Sequence, residues 1–178
     1  MTTRRPSAAR TKQPAIEPAA SVTGAQLTEP AARVLRRFRL VFNAVKAHFQ
    51  QVERTAGIGG AQLWALSIIR AHPGRGVNDL ARAMDVKQST ASNLVKALSE
   101  RGLIAISRDG PDRRAVQLEV LPAGRKVLKQ APGPFAGVLP EALASLDTQT
   151  LERLDADLAN LIAVLDADPQ GATVPLGQ

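Results

Sequence analysis

The chain has 178 residues, 44% of them hydrophobic, a formal net charge of +7 and no cysteine. That length suits one domain with a real core, and the absence of cysteine excludes disulfides and thiol chemistry. The positive balance favours an anionic partner such as nucleic acid. Charge is unevenly spread, however: residues 1–27 carry four positives against one negative, 28–54 six against two, and 75–114 eight against five. From Thr148 onward one positive faces five negatives. No apolar run approaches the ~18 residues needed to cross a bilayer, and no secretory apolar stretch opens the chain, so a cytoplasmic protein without membrane contact is expected.

Residues 1–27 combine Arg4, Arg5, Arg10 and Lys12 with prolines and small polar residues. Such a composition cannot bury enough surface to fold, which predicts a disordered basic tail able to add phosphate contacts. Thr28-Glu29-Pro30 then reads as a helix start, with Thr as cap and Pro in the first turn. Leu35, Phe38, Phe42, Val45, Phe49 and Val52 follow at alternating intervals of three and four, a heptad seam. Gly57-Ile58-Gly59-Gly60 ends this helix. It is no phosphate loop, since neither a preceding strand nor a Gly-Lys-Ser/Thr is present.

Ala61 to Ala71 is a second helix, apolar nearly all round through Leu63, Trp64, Leu66, Ile68 and Ile69, and stopped by His72-Pro73-Gly74. Trp64 is expected in the core. Two short helices come next. Val77, Leu80, Ala81 and Met84 mark one face of the first, and Ala91, Leu94, Val95 and Leu98 one face of the second. Asp85-Val86-Lys87 leaves room only for a tight corner, as in a helix-turn-helix. Off the apolar stripe of the second helix lie Gln88, Ser89, Thr90, Ser92, Asn93 and Lys96. The first five are neutral hydrogen-bonding groups, poor at supporting a helix but suited to base edges and phosphate oxygens.

Gly102 closes that helix in the left-handed position. Leu103, Ile104 and Ile106 form a β-rich run, and Val116, Leu118 and Val120 alternate with Gln117 and Glu119, which predicts an antiparallel return strand. Between them, Arg108-Asp109-Gly110-Pro111-Asp112-Arg113-Arg114 makes a basic turn. A helix-turn-helix followed by a hairpin with a basic tip is a winged helix. Pro122 to Gln130 starts another helix with Pro122 in its first turn. Pro132-Gly133-Pro134 and Pro140 predict a break before the next helical piece. The last helix begins near Leu146-Asp147, capped by Asp147 or Thr148, and carries Leu151, Leu154, Leu158, Leu161 and Leu165 as a second heptad seam. Asp168 to Gln178 is expected to fray.

Leu80-Ala81, Ser89-Thr90, Leu98, Gly102-Leu103-Ile104, Asp112-Arg113-Arg114 and the run from Leu118 through Val120-Leu121-Pro122 to Gly124 together resemble the DNA-binding module of the MarR family of bacterial transcription regulators. Weaker likeness runs from Glu29 to Asp166. The pattern departs from the family at Asn93, where Arg is usual, and at Pro122, where Thr is usual. The resemblance implies a mainly α fold with a small β-hairpin wing (α+β), a winged helix-turn-helix over about 61–122 between dimerisation helices over about 29–54 and 123–166. Residues 1–27 and 167–178 are then tails around a 28–166 domain.

The implied function is a sequence-specific DNA-binding regulator, a repressor, working as a homodimer on a near-palindromic operator and released by a small aromatic or phenolic effector. Double-stranded DNA would meet Gln88, Ser89, Thr90, Ser92, Asn93 and Lys96 on the recognition helix, and Arg108, Asp112, Arg113 and Arg114 on the wing, with Asp112 holding the arginine fork. Asn93 in place of Arg should favour adenine over guanine. Two other classes stay open: a sequence-neutral architectural DNA-binding protein, and a winged helix that meets another protein. An enzyme is not expected. His48 and His72 lack metal-ligand spacing and are expected as solvated or hydrogen-bonded surface histidines. Asp79, Asp85, Asp109 and Asp112 suit turns and caps. Catalytic residues, metal ligands and cofactors are therefore expected to be none.

Overall fold

The computed structural model describes residues 28–107 and 116–176. Its elements in order are α1 (Glu29–Ala56), α2 (Gly60–Ala71), α3 (Val77–Ala83), α4 (Gln88–Glu100), β1 (Ile104–Ser107), β2 (Gln117–Val120), α5 (Pro122–Gln130), α6 (Val138–Ala144), α7 (Thr148–Leu165) and a 3-10 turn, Pro169–Thr173. This is the expected mainly helical winged-helix arrangement. The centre of the core is α2, because its helical period places Leu63, Ala65, Leu66 and Ile69 against every neighbour in turn. Leu98 of α4, Ile104 of β1, Leu118 of β2 and Val52 of α1 close around it with at most 2% exposure. Among the described residues no polar or charged side chain is buried, so the core is held by apolar burial alone.

The two strands pair antiparallel, Ile104 opposite Val120 and Ser107 opposite Gln117. Leu118 also turns its backbone to the other side. Its carbonyl accepts from Gly74 N at 3.0 Å and its N–H donates to Arg75 O at 3.1 Å, zipping the α2–α3 loop onto the wing. The loop contact is set by residues more than forty positions apart and had no signature in the sequence. Gly102 adopts φ +67° as expected for the residue that turns α4 into β1, and Gly57 ends α1 at φ +69°. Asp85 takes the same left-handed region, φ 52°, in the α3–α4 corner. Asp tolerates that region better than most residues.

Several local expectations need correction. Thr28 stands at the cap of α1, but its side chain makes no capping hydrogen bond. Trp64 is only half-buried, packing on the core with one part and lining a groove with another. His48 is not freely solvated: it lies edge-on to Phe49 at 5.5 Å, and its Nε2 is enclosed without a hydrogen-bond partner among the described residues. The segment after Asp168, expected to fray, forms the 3-10 turn capped by Asp168, whose Oδ1 accepts from Gln170 N at 2.9 Å. The expected break before α6 and the Asp147 cap of α7 both stand.

The α1 heptad seam divides. Its C-terminal end, at Val52, is 1% exposed in the chain's own core, while Leu35 and Phe42 are 37% and 64% exposed. On α7 the half-buried Leu151, Leu154 and Leu158 give way to exposed Leu161, Ile162 and Leu165. Both ends of the chain thus carry apolar surface that the single chain leaves uncovered.

Candidate nucleic-acid interface

α4 presents its polar row because its other face is tied down. Ala91, Leu94, Val95 and Leu98 are buried, so the helix cannot rotate. Gln88, Ser89, Asn93 and Lys96 are left exposed, and Thr90 and Ser92 half-exposed. The six expected residues on α4 therefore share one accessible surface. At its start Lys87 holds the cap position, no side chain caps the helix, and the first turn has no acidic residue. Uncapped N–H groups at a helix start, with the helix dipole behind them and no carboxylate in front, suit an anion such as phosphate.

Beside this row, α3, the start of α4 and the start of β2 enclose a polar cleft of about 530 Å³. Gly76, Asn78, Arg82, Gln88, Ser92 and Gln117 line it. Asn78, Arg82 and Gln117 were missed by sequence reasoning, which looked only along the second helix and the wing tip. The exposed face of α3, off its Leu80 and Ala81 stripe, held the signal. Arg82 is oriented by Asp79, Nη2 to Oδ1 at 2.6 Å, yet its side chain stays 78% exposed. Asp79 Oδ2 also accepts from Gly76 N at 3.3 Å, fixing the start of α3. Lys96 lies 3.9 Å from Glu100, an exposed pair too loose to withhold it from a ligand.

Arg108, Asp112, Arg113 and Arg114 lie outside the described residues. The register of Ser107 with Gln117 makes residues 108–116 the connection between the two wing strands.

A second concavity, of about 440 Å³, reaches from α1 and α2 to the α3–α4 corner. Val45, Phe49, Trp64, Leu139, Val174 and Leu176 give it an apolar lining, with Asp85 at its edge. Phe49 and Trp64 line this groove, whereas Phe42, further up α1, does not. Among the described residues no cluster of three His, Asp or Glu is placed to hold a metal ion, and no helix is long and apolar enough to cross a membrane.

The MarR family sequence profile matches residues 56–115, from the end of α1 to the wing. A Thauera aromatica protein proposed as the transcriptional regulatory protein for the hcr operon is 30% identical over 132 residues, 74% of either chain. The transcriptional repressor MdtR of Bacillus subtilis is 26% identical over 84 residues, 47% of this chain and 54% of that one. In three dimensions the S. aureus MepR–DNA complex superposes with a TM-score of 0.50 at 21% identity, covering 78% of this chain and 96% of that one, a likeness of fold. The profile match over the helix-turn-helix and wing, with a relative aligned across three-quarters of its length, leads to one conclusion: this chain belongs to the MarR family of winged-helix transcriptional regulators.

Proposed function

We propose that this regulator is a sequence-specific DNA-binding repressor that works as a homodimer on a near-palindromic operator and is released by a small aromatic or phenolic effector. The observation that carries the reading is α4: a core-locked helix with an uncapped, acid-free start and a row of hydrogen-bonding side chains facing outward. In this reading Gln88, Ser89, Thr90, Ser92, Asn93 and Lys96 enter the major groove, with Asn93 reading adenine. Arg82 and Asn78 of α3 meet the flanking backbone. Arg108, Arg113 and Arg114, with Asp112 orienting the fork, reach the minor groove or adjacent phosphates, and residues 1–27 add looser phosphate contacts.

The uncovered apolar side chains of α1 and α7, among them Val34, Leu35, Phe42, Leu161, Ile162 and Leu165, support pairing of two copies. Residues 28–166 then form the dimerising winged unit. Two recognition helices would address half-sites about 34 Å apart, one turn of duplex. The apolar groove beside Trp64 supports an effector of modest size. Deciding among the readings takes a gel-shift competition between a duplex carrying an inverted repeat from upstream of the protein's own gene and random duplex. A preference of about a thousand-fold or more is expected of a regulator. Equal affinity would point instead to sequence-neutral binding, and no binding in dilute salt to a protein partner.

A further inference from the structure

The chain after α7 does not leave the domain. Asp168 caps a 3-10 turn, and Val174 and Leu176 beyond it share the lining of the apolar groove with Val45, Phe49 and Trp64. At the other end of the same turn Gln170 Oε1 accepts from Lys87 Nζ at 2.9 Å. Lys87 is the residue immediately ahead of α4, at the uncapped helix start. One short segment therefore touches both the groove and the entry to the recognition helix.

We propose that residues 169–176 are a strap that forms the outer wall of the groove and, through Gln170, holds the Lys87 ammonium at the start of α4. The strap is poised rather than locked. Val174 and Leu176 remain 53% and 56% exposed, so little apolar area is lost when it lifts. Gln170 is a neutral acceptor at an exposed site, and such a bond contributes little net free energy. Loss of the Gln170 bond frees Lys87. A freed ammonium beside an anion-ready helix start is one more group for a phosphate oxygen. Strap and DNA face are thereby coupled through the Lys87 ammonium, an autoinhibitory consequence that rests on the DNA-binding reading above.

The chain has one tryptophan, Trp64, and no cysteine, which makes the strap directly readable in the full-length protein. Acrylamide quenching of Trp64 is compared between wild type and the double variant Val174→Ser, Leu176→Ser, at matched circular dichroism and oligomeric state. The strap reading expects about a two-fold higher quenching constant in the variant; an unchanged constant overturns it. A gentler check uses Ala172→Cys labelled with bimane, with and without Trp64→Phe. Emission lower when Trp64 is present supports the strap, and equal emission refutes it. Gln170→Ala tests the tie. Its log affinity for duplex DNA should fall more steeply with log salt than wild type, by about one unit, as expected for one added phosphate contact. An unaltered slope overturns the coupling. The fluorescence measurements use no DNA, so absent DNA binding would sink the regulator reading and the coupling while the strap itself was still decided.

Discussion

Gly124→Ala is the sharpest test of how the wing is set on α5. Gly124 is buried in the first turn of α5, directly after β2. A Cβ built there would press into the carbonyl oxygen of Leu103 and lie 2.8 Å from Val120 Cγ1. That carbonyl already accepts from Leu121 N at 3.0 Å, the bond that ties the end of β2 to the start of β1. Two effects oppose each other. Helix propensity alone favours Ala over Gly by up to about 1 kcal/mol. Against it stands overpacking, which costs about 1–3 kcal/mol, and weakening of the Leu121 bond, about 0.5–1.5 kcal/mol. The obstructing atom is backbone, which cannot rotate aside, so the steric side wins. A net loss of about 1–3 kcal/mol is expected. Urea unfolding at one fixed protein concentration measures it, since the proposed pairing would make the midpoint concentration-dependent. Ala123→Gly, one residue earlier and exposed, supplies the propensity term for the same turn. If Gly124→Ala proves neutral or stabilising, α5 is not seated on Leu103 as described.

Other perturbations separate backbone, cap and surface effects. A Cβ at Gly102 meets nothing within 4 Å, so Gly102→Ala isolates the left-handed backbone strain; a loss of about 1–2 kcal/mol is expected in urea unfolding, and none would mean the turn relaxes. Asp147 caps α7, and its carboxyl is held below the ordinary carboxylate value of 3.8, first by the Thr150 hydroxyl at 2.7 Å and then by the Thr150 N–H at 2.9 Å. A depressed pKa contributes stability that is present above that ordinary value and lost as pH falls through the depressed one. Helicity should therefore drop below about pH 4 in wild type, and Asp147→Ala should remove that step from an acid titration followed by circular dichroism. Phe42→Asp places a charge on the exposed α1 seam; sedimentation should show pairing weakened at least about ten-fold, and an undiminished dimer would put the interface elsewhere. Asn93→Arg should move base preference from adenine toward guanine at one operator position, and site selection returning the same preference would remove Asn93 from the reading surface.

What the chain's order of residues settles by itself is whatever depends on near neighbours. The 3.6-residue stripes of α3 and α4, the glycine turn at Gly102, the two-residue alternation of β2 and the prolines around α6 act over a few positions, where sterics and backbone hydrogen bonding leave few options. The exposed polar row on α4 was legible for the same reason: a buried stripe dictates which side chains face out. Tertiary structure decided what sequence-distant residues do to one another. Only the folded chain divides the α1 seam into a buried end at Val52 and an uncovered end at Phe42, because the division depends on where α2 sits. It alone joins Leu118 to the Gly74–Arg75 loop, adds Asn78 and Arg82 to the cleft beside α4, and leads the C-terminal segment back to Trp64 and Lys87. Periodicity carries no record of which surfaces will meet. Such contacts are set by packing of whole elements, and they exist only once the core has closed.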